Sequence, residues 1–317
     1  MLALLLAAPA SAASFWPVTP QTPQARSITF LFWIVIAVSG VILFGVLGAL
    51  VLFIIRYRAR PGAAEPRPIY GNMRLELWWT AIPFVLLVGV YAFMVGEVRS
   101  ETTIASNALD ITVIGHQWWW EYRYPDNVVA ANELHVPVGR QVRLTLQSAD
   151  VVHTFWVPDL AGKEQTIPGQ NNIWTFTAEK AGDYDGACSE YCGTQHGWMR
   201  LKVIADQPAD FDRWLAAQRQ PLASLPSSDS DAVKLFNDNA CGGCHTVNGM
   251  SNGRVAPDLT HIGSRTTIGA GVLANTPENM TRWMANPQEF KPGSLMPNFH
   301  FTQEQARQMA ALLEDLK

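Results

Sequence analysis

Two clusters of soft ligands dominate the 317-residue chain. The first is Cys188-Ser189-Glu190-Tyr191-Cys192-Gly193-Thr194-Gln195-His196-Gly197-Trp198-Met199. Within it Cys192, His196 and Met199 offer a thiolate, an imidazole and a weak thioether, the loop of a mononuclear copper site that takes a second histidine from elsewhere. His153, in Asp150-Val151-Val152-His153, is placed in sequence to be that histidine. Cys188 goes beyond what one copper needs. Two thiolates facing one pocket can bridge two copper ions, each completed by one histidine and one weak axial ligand. The competing reading is a Cys188–Cys192 disulfide in an exported domain.

The second cluster is Cys241-Gly242-Gly243-Cys244-His245, the attachment pattern of a c-type haem. Two thiols form thioethers to the porphyrin and the adjacent imidazole takes one axial position on iron. A zinc site needs further Cys or His nearby, and a thioredoxin-like pair has no use for His245. The second axial ligand is expected downstream, and Met296, in the proline-flanked Lys291-Pro292-Gly293-Ser294-Leu295-Met296-Pro297-Asn298, is the candidate. Met280, Met284 and Met309 lie in segments with helical patterning, and Met250 is too close to the attachment site. His116, His135, His261 and His300 read as structural or surface residues.

The elements that position these clusters follow from composition. A net charge of -4 with 16% charged residues excludes a nucleic-acid binder of the basic kind. Residues 1–13 read as a signal peptide, truncated or short, and 14–27 as an exported arm. Residues 28–97 contain two apolar runs, Ile28–Ile55 and Leu77–Val95, each long enough to cross a bilayer, which takes about 20 helical residues. Between them, in a loop at 56–76, stand Arg56, Arg58, Arg60, Arg67 and Arg74, which place the loop in the cytoplasm and both chain ends outside. Residues 98–206 change to short alternating apolar runs broken by Gly, Pro and Asp, the pattern of a β-sandwich or barrel. Gly115–Tyr124, with Trp118, Trp119 and Trp120, reads as one aromatic strand. Residues 98–206 hold thirteen acids and eight bases, the balance of a solvated acidic face and one able to steer a basic donor. Residues 207–230 read as a terminal helix and a Ser/Pro/Asp-rich linker that lets a following domain swing, and 231–317 as the haem domain.

His153 with Cys-x3-Cys-x3-His-x2-Met resembles the CuA site of subunit II of haem–copper terminal oxidases. The resemblance implies that Cys188, Cys192, His153, His196 and Met199 bind copper through side chains and Glu190 through its backbone carbonyl. It implies a cupredoxin-like barrel after a two-helix transmembrane hairpin. It also implies that Trp118, the first tryptophan of a Gln-Trp-aromatic-Trp run, takes electrons from cytochrome c. Trp119 stands where the family carries tyrosine. The Glu190 side chain is implied in an interfacial magnesium site shared with subunit I, and Glu76, in Glu76-Leu77-Trp78-Trp79-Thr80, in a proton-collecting role. From its residues alone Glu76 reads as a solvated interfacial carboxylate.

Joined to an all-α class I cytochrome c domain, this arrangement is similar to subunit II of a caa3-type oxidase. The expected partners are subunit I, subunit III, an external cytochrome c and membrane lipid. The expected location is the bacterial inner membrane, with both redox domains on the periplasmic side. Two alternatives stay open, the CuA subunit of a nitric-oxide reductase and a free membrane-tethered electron carrier. The chain offers no intramembrane histidine for an oxygen-reducing site.

Overall fold

The computed structural model describes residues 19–58, 60–62, 68, 70–101, 104–222, 227–228 and 230–317. The expected signal peptide, residues 14–18 of the arm, Arg67 and part of the linker lie outside them. The chain divides into two units, Arg26–Ile104 and the remainder.

The first unit is built on helices α1 (Pro23–Arg56) and α2 (Met73–Glu101). Both are apolar around their whole circumference, and no residue in their most apolar windows is buried. A helix with no polar face and no protein packed over it is suited to lipid. Phe30 and Phe93 bring the two together with ring centroids 6.0 Å apart. At the start of α2, Asn72 Oδ1 accepts from the amides of Arg74 and Leu75. Glu76 Oε1 in turn accepts the Asn72 amide at 3.3 Å. Glu76 thus helps close the helix terminus, where a carboxylate also complements the helix dipole.

The second unit opens with ten strands: β1 (Leu109–His116), β2 (Trp119–Arg123), β3 (Val129–Ala131), β4 (Glu133–Pro137), β5 (Val142–Ser148), β6 (His153–Trp156), β7 (Glu164–Thr166), β8 (Asn172–Phe176), β9 (Gly182–Cys188) and β10 (Arg200–Asp206). One sheet has the order β3-β2-β1-β5-β8 and the other β4-β10-β9-β6-β7. The β1–β5 and β4–β10 pairs are parallel, so the chain crosses between layers as a cupredoxin-like barrel does. Leu134, Val136, Leu144, Leu146, Phe155 and Phe176 are fully buried between the sheets. Burying each such side chain is worth about 1.5–3 kcal/mol. Helix α3 (Pro208–Gln218) closes this part by burying Phe211 and stacking Trp214 on His135.

Gly115–Tyr124 is not one strand. β1 ends at His116, β2 starts at Trp119, and the two pair antiparallel with His116 opposite Trp119. Gln117 and Trp118 leave the ladder because their polar groups are taken elsewhere. The Gln117 amide donates to Asp150 Oδ2 at 2.6 Å, and both side chains donate to the Cys192 carbonyl.

The remainder consists of α4 (Asp231–Asp238), α5 (Cys241–Cys244), α6 (Pro277–Ala285), α7 (Pro287–Phe290) and α8 (Gln303–Asp315), with two short two-stranded ladders between α5 and α6. Ser230, Thr276 and Thr302 cap α4, α6 and α8 through their hydroxyls, and Thr302 with Gln305 forms a full capping box.

Candidate metal centre

The first cluster converges at one end of the barrel. Cys188 ends β9, His153 starts β6, and the loop through Cys192, His196 and Met199 returns to β10. The Sγ atoms of Cys188 and Cys192 are 3.7 Å apart, and both thiols are free. That is well beyond a disulfide bond of about 2.05 Å. His153 Nδ1 lies 4.0 Å from Cys188 Sγ, and the Glu190 carbonyl accepts from the same sulfur at 3.2 Å. His196 Nδ1 and Met199 Sδ lie 3.7 and 3.8 Å from Cys192 Sγ. Each sulfur thus has one histidine nitrogen and one weak donor within 4.0 Å, and the ligand atoms of His153, Cys188 and Cys192 all lie within 4.8 Å of one another. Met199 and His153 are fully buried.

Neighbouring groups fix the donor atoms. His153 Nε2 donates to Asp150 Oδ1 at 2.7 Å, which leaves the Nδ1 lone pair facing the sulfurs. Burial alone lowers the basicity of His153, but the Asp150 carboxylate and the Cys188 sulfur more than offset it. Asp150 is held low despite its burial by His153 and by the amides of Val151 and Gln117. The Cys188 thiol is pulled down, first by its hydrogen bond with Cys192 and then by His153 and backbone amides. The same hydrogen bond, with burial, pushes Cys192 up. Two sulfurs this close repel as a pair of thiolates, so the dry pocket favours a single charge until a cation enters.

Packing leaves the imidazole no freedom. A Cβ on Gly115 of β1 would stand 2.7 Å from His153 Cδ2, so only glycine admits the ring. Gly193, with a φ of +114°, turns the loop beneath Trp118. Trp120 meets His153 edge-on with centroids 5.9 Å apart. This donor set of two soft sulfurs, two imidazoles, a thioether and a carbonyl fits copper.

The second cluster lines a cleft. Cys241, His245, Pro257, Gly269, Trp283 and Met296 border both of two adjoining cavities, the larger of about 400 Å³. His245 Nδ1 donates to the Pro257 carbonyl at 2.7 Å, leaving Nε2 as the free lone pair. Burial keeps the ring neutral, and the Arg265 cation adds to this. Met280, Met284 and Met309 border the smaller cavity from helices α6 and α8, whereas Met296 stands in an irregular loop. Gln288 Nε2 pins that loop by donating to the Ser294 and Met296 carbonyls at 2.9 and 2.8 Å. Two thiols, a neutral imidazole with Nε2 free and a pinned thioether fit a c-type haem with His/Met ligation.

Trp118 stands between the two clusters. Its indole Nε1 donates to the Cys192 carbonyl at 2.9 Å, and it borders the larger cavity with Cys244, His245 and Met296. Lys291 Nζ reaches the Trp118 carbonyl at 3.2 Å, and Gln195, next to His196, donates to the Pro292 carbonyl. Trp118 is half-buried. Glu190 sends its side chain away from the sulfurs, accepting from Gln165 at 3.4 Å. Asp150 escaped the sequence reading of the site, although its place three residues before His153 was visible. Lys291 and Gln195 carried no legible signal, since their partners are about 100 or more residues away.

The fold and its two donor sets define a membrane-anchored electron-transfer protein with a copper-type barrel and a haem-type cleft. Three family matches cover these parts. Residues 14–95 match cytochrome c oxidase subunit II, transmembrane domain, residues 128–206 its periplasmic domain, and residues 230–317 cytochrome c. A cytochrome c oxidase subunit 2 of Alkalihalophilus pseudofirmus is 34% identical over 94% of this chain and 90% of its own length. One from Bacillus sp. strain PS3 is 31% identical over 82% of this chain and 80% of its own. The periplasmic domain of subunit II of cytochrome oxidase from Bradyrhizobium japonicum aligns over 37% of this chain and 97% of its own, with 31% identity and a TM-score of 0.35. The chain belongs to the cytochrome c oxidase subunit II family, in the form that carries a fused C-terminal cytochrome c domain. Its relatives are components of an oxidoreductase complex, and its role is the input of electrons to such a complex.

Proposed function

We propose that the chain receives electrons from an external cytochrome c at its own haem domain and delivers them through a binuclear copper site to haem a of subunit I in a caa3-type oxidase. Oxygen reduction to water, with coupled proton translocation, belongs to the partner subunits. Subunit III and lipid complete the surroundings in a bacterial inner membrane. A bound haem and a bound copper pair supply one-electron carriers whose redox change needs no bond to this chain to form or break.

The chain's residues set the conditions for that chemistry. Cys188 and Cys192 would hold both coppers, with His153, His196, Met199 and the Glu190 carbonyl completing their ligand sets. Cys241 and Cys244 would anchor the haem, with His245 and Met296 as its iron ligands. Fully buried His153 and Met199 exclude water from the copper pocket, which limits reorganisation when charge changes. The observation that carries the reading is Trp118, hydrogen-bonded to the Cys192 backbone while bordering the haem cleft. Glu76 at the start of α2 is assigned the mouth of a proton path. The Glu190 carboxylate is assigned one corner of a magnesium site whose other ligands come from subunit I.

The test is gas uptake by the complex that copurifies with a tag on Lys317, supplied with reduced cytochrome c. Rapid, cyanide-sensitive oxygen consumption is the expected result. Preferential loss of nitric oxide would move the chain to a nitric-oxide reductase, and a chain that purifies alone without uptake would be a tethered carrier.

A further inference from the structure

Glu133 begins β4 on the barrel and is only 4% exposed, yet its carboxylate is committed entirely to the haem domain. The amide of Thr266 donates to both carboxylate oxygens at 3.0 Å, and its hydroxyl donates to Oε1 at 2.7 Å. The amide and hydroxyl of Thr267 donate to the same oxygen at 2.7 and 2.6 Å. Among the described residues no ion pair within 4.0 Å involves Glu133. The Arg265 cation of the haem domain acts on Glu133 from beyond ion-pair distance, and a carboxylate held out of water in this way still needs several dipoles to converge on it. Here those dipoles come from another domain, more than 130 residues away. With the haem domain lifted off, Glu133 exchanges these hydrogen bonds for water. With the domain docked in any other orientation, the carboxylate is buried without partners. The contact therefore selects one orientation as well as favouring docking.

Trp119, Ala131 and Ala270 form a small buried cluster across the same boundary, and Lys291 and Gln195 tie the methionine loop to Trp118 and the copper loop. We propose that Glu133 is a positioning residue that latches the haem domain on the barrel in a single orientation, so that the linker does not carry a swinging domain. The inference deepens the proposed electron path by supplying a fixed distance for it, but it rests on the contacts themselves.

Hydrogen exchange on the metal-loaded full-length chain in its complex reads the latch directly. In the native protein the amides of Thr266 and Thr267 exchange slowly. In Glu133→Ala they exchange at least about tenfold faster, while α4 and α8 keep native protection, because a lost charge-assisted contact opens the interface locally. Glu133→Gln keeps a carbonyl acceptor and restores protection toward the native level. Exposed-loop rates at 266–267 in the native protein would overturn the latch, a result that needs no variant to fold. So would unchanged rates in Glu133→Ala, or acceleration spread through the whole haem domain, which would make Glu133 a folding residue. Absent oxygen uptake by the native complex, with slow exchange at 266–267 and acceleration in Glu133→Ala, would count against the electron path and leave the latch standing.

Discussion

Asp150 carries no metal-binding atom in the proposed copper site, yet it decides which nitrogen of His153 faces the sulfurs. Partners of this kind are worth about 10–100-fold in metal affinity. Asp150→Ala is therefore expected to weaken copper retention by that factor in a chelator competition, with the haem spectrum unchanged; unchanged retention would remove Asp150 from the site. Gly115 acts through space alone. Gly115→Ala forces a methyl to within 2.7 Å of the His153 ring and is expected to cost about 1–3 kcal/mol, read as a lower unfolding midpoint in the copper-free protein.

Lys291 sits at the element scale, where the methionine loop meets the β1–β2 turn. It is 5% exposed, and burial pushes its ammonium down to about 8, with the Cys192 sulfur acting the other way. The unfolded chain keeps this proton up to about pH 10.4. Between pH 8 and that value the unfolded state binds more protons, so stability rises with pH across the window and is flat below it. Lys291→Met is expected to flatten the rise in denaturant titrations at several pH values, and a slope equal to the native one would contradict this. The two donor motifs were legible because Cys188, Cys192, His196 and Met199, and Cys241, Cys244 and His245, are close in sequence and of rare types, whereas His153 and Met296 join them only in the fold. The apolar helices were equally plain from composition. Gln117 and Trp118 were not, because nothing local says that a turn must form where Asp150 and the Cys192 carbonyl compete for them. Glu133 was silent for the same reason, its partners lying a whole domain away.

At the scale of the whole molecule, the barrel and haem domain meet around Trp118, and the apolar helices tie both to a membrane. Trp118→Ala is expected to leave reduction of the haem by external cytochrome c unchanged and to slow re-oxidation of the haem by copper, followed by stopped-flow absorbance. Equal rates in variant and native protein would take Trp118 off the path. The proposed electron path depends on two copper ions at Cys188 and Cys192. Metal analysis with paramagnetic resonance on the intact chain tests that claim most directly. Two coppers per haem, with one unpaired electron shared over both copper nuclei, is the predicted result. A single copper with its own four-line signal, or none, would contradict it.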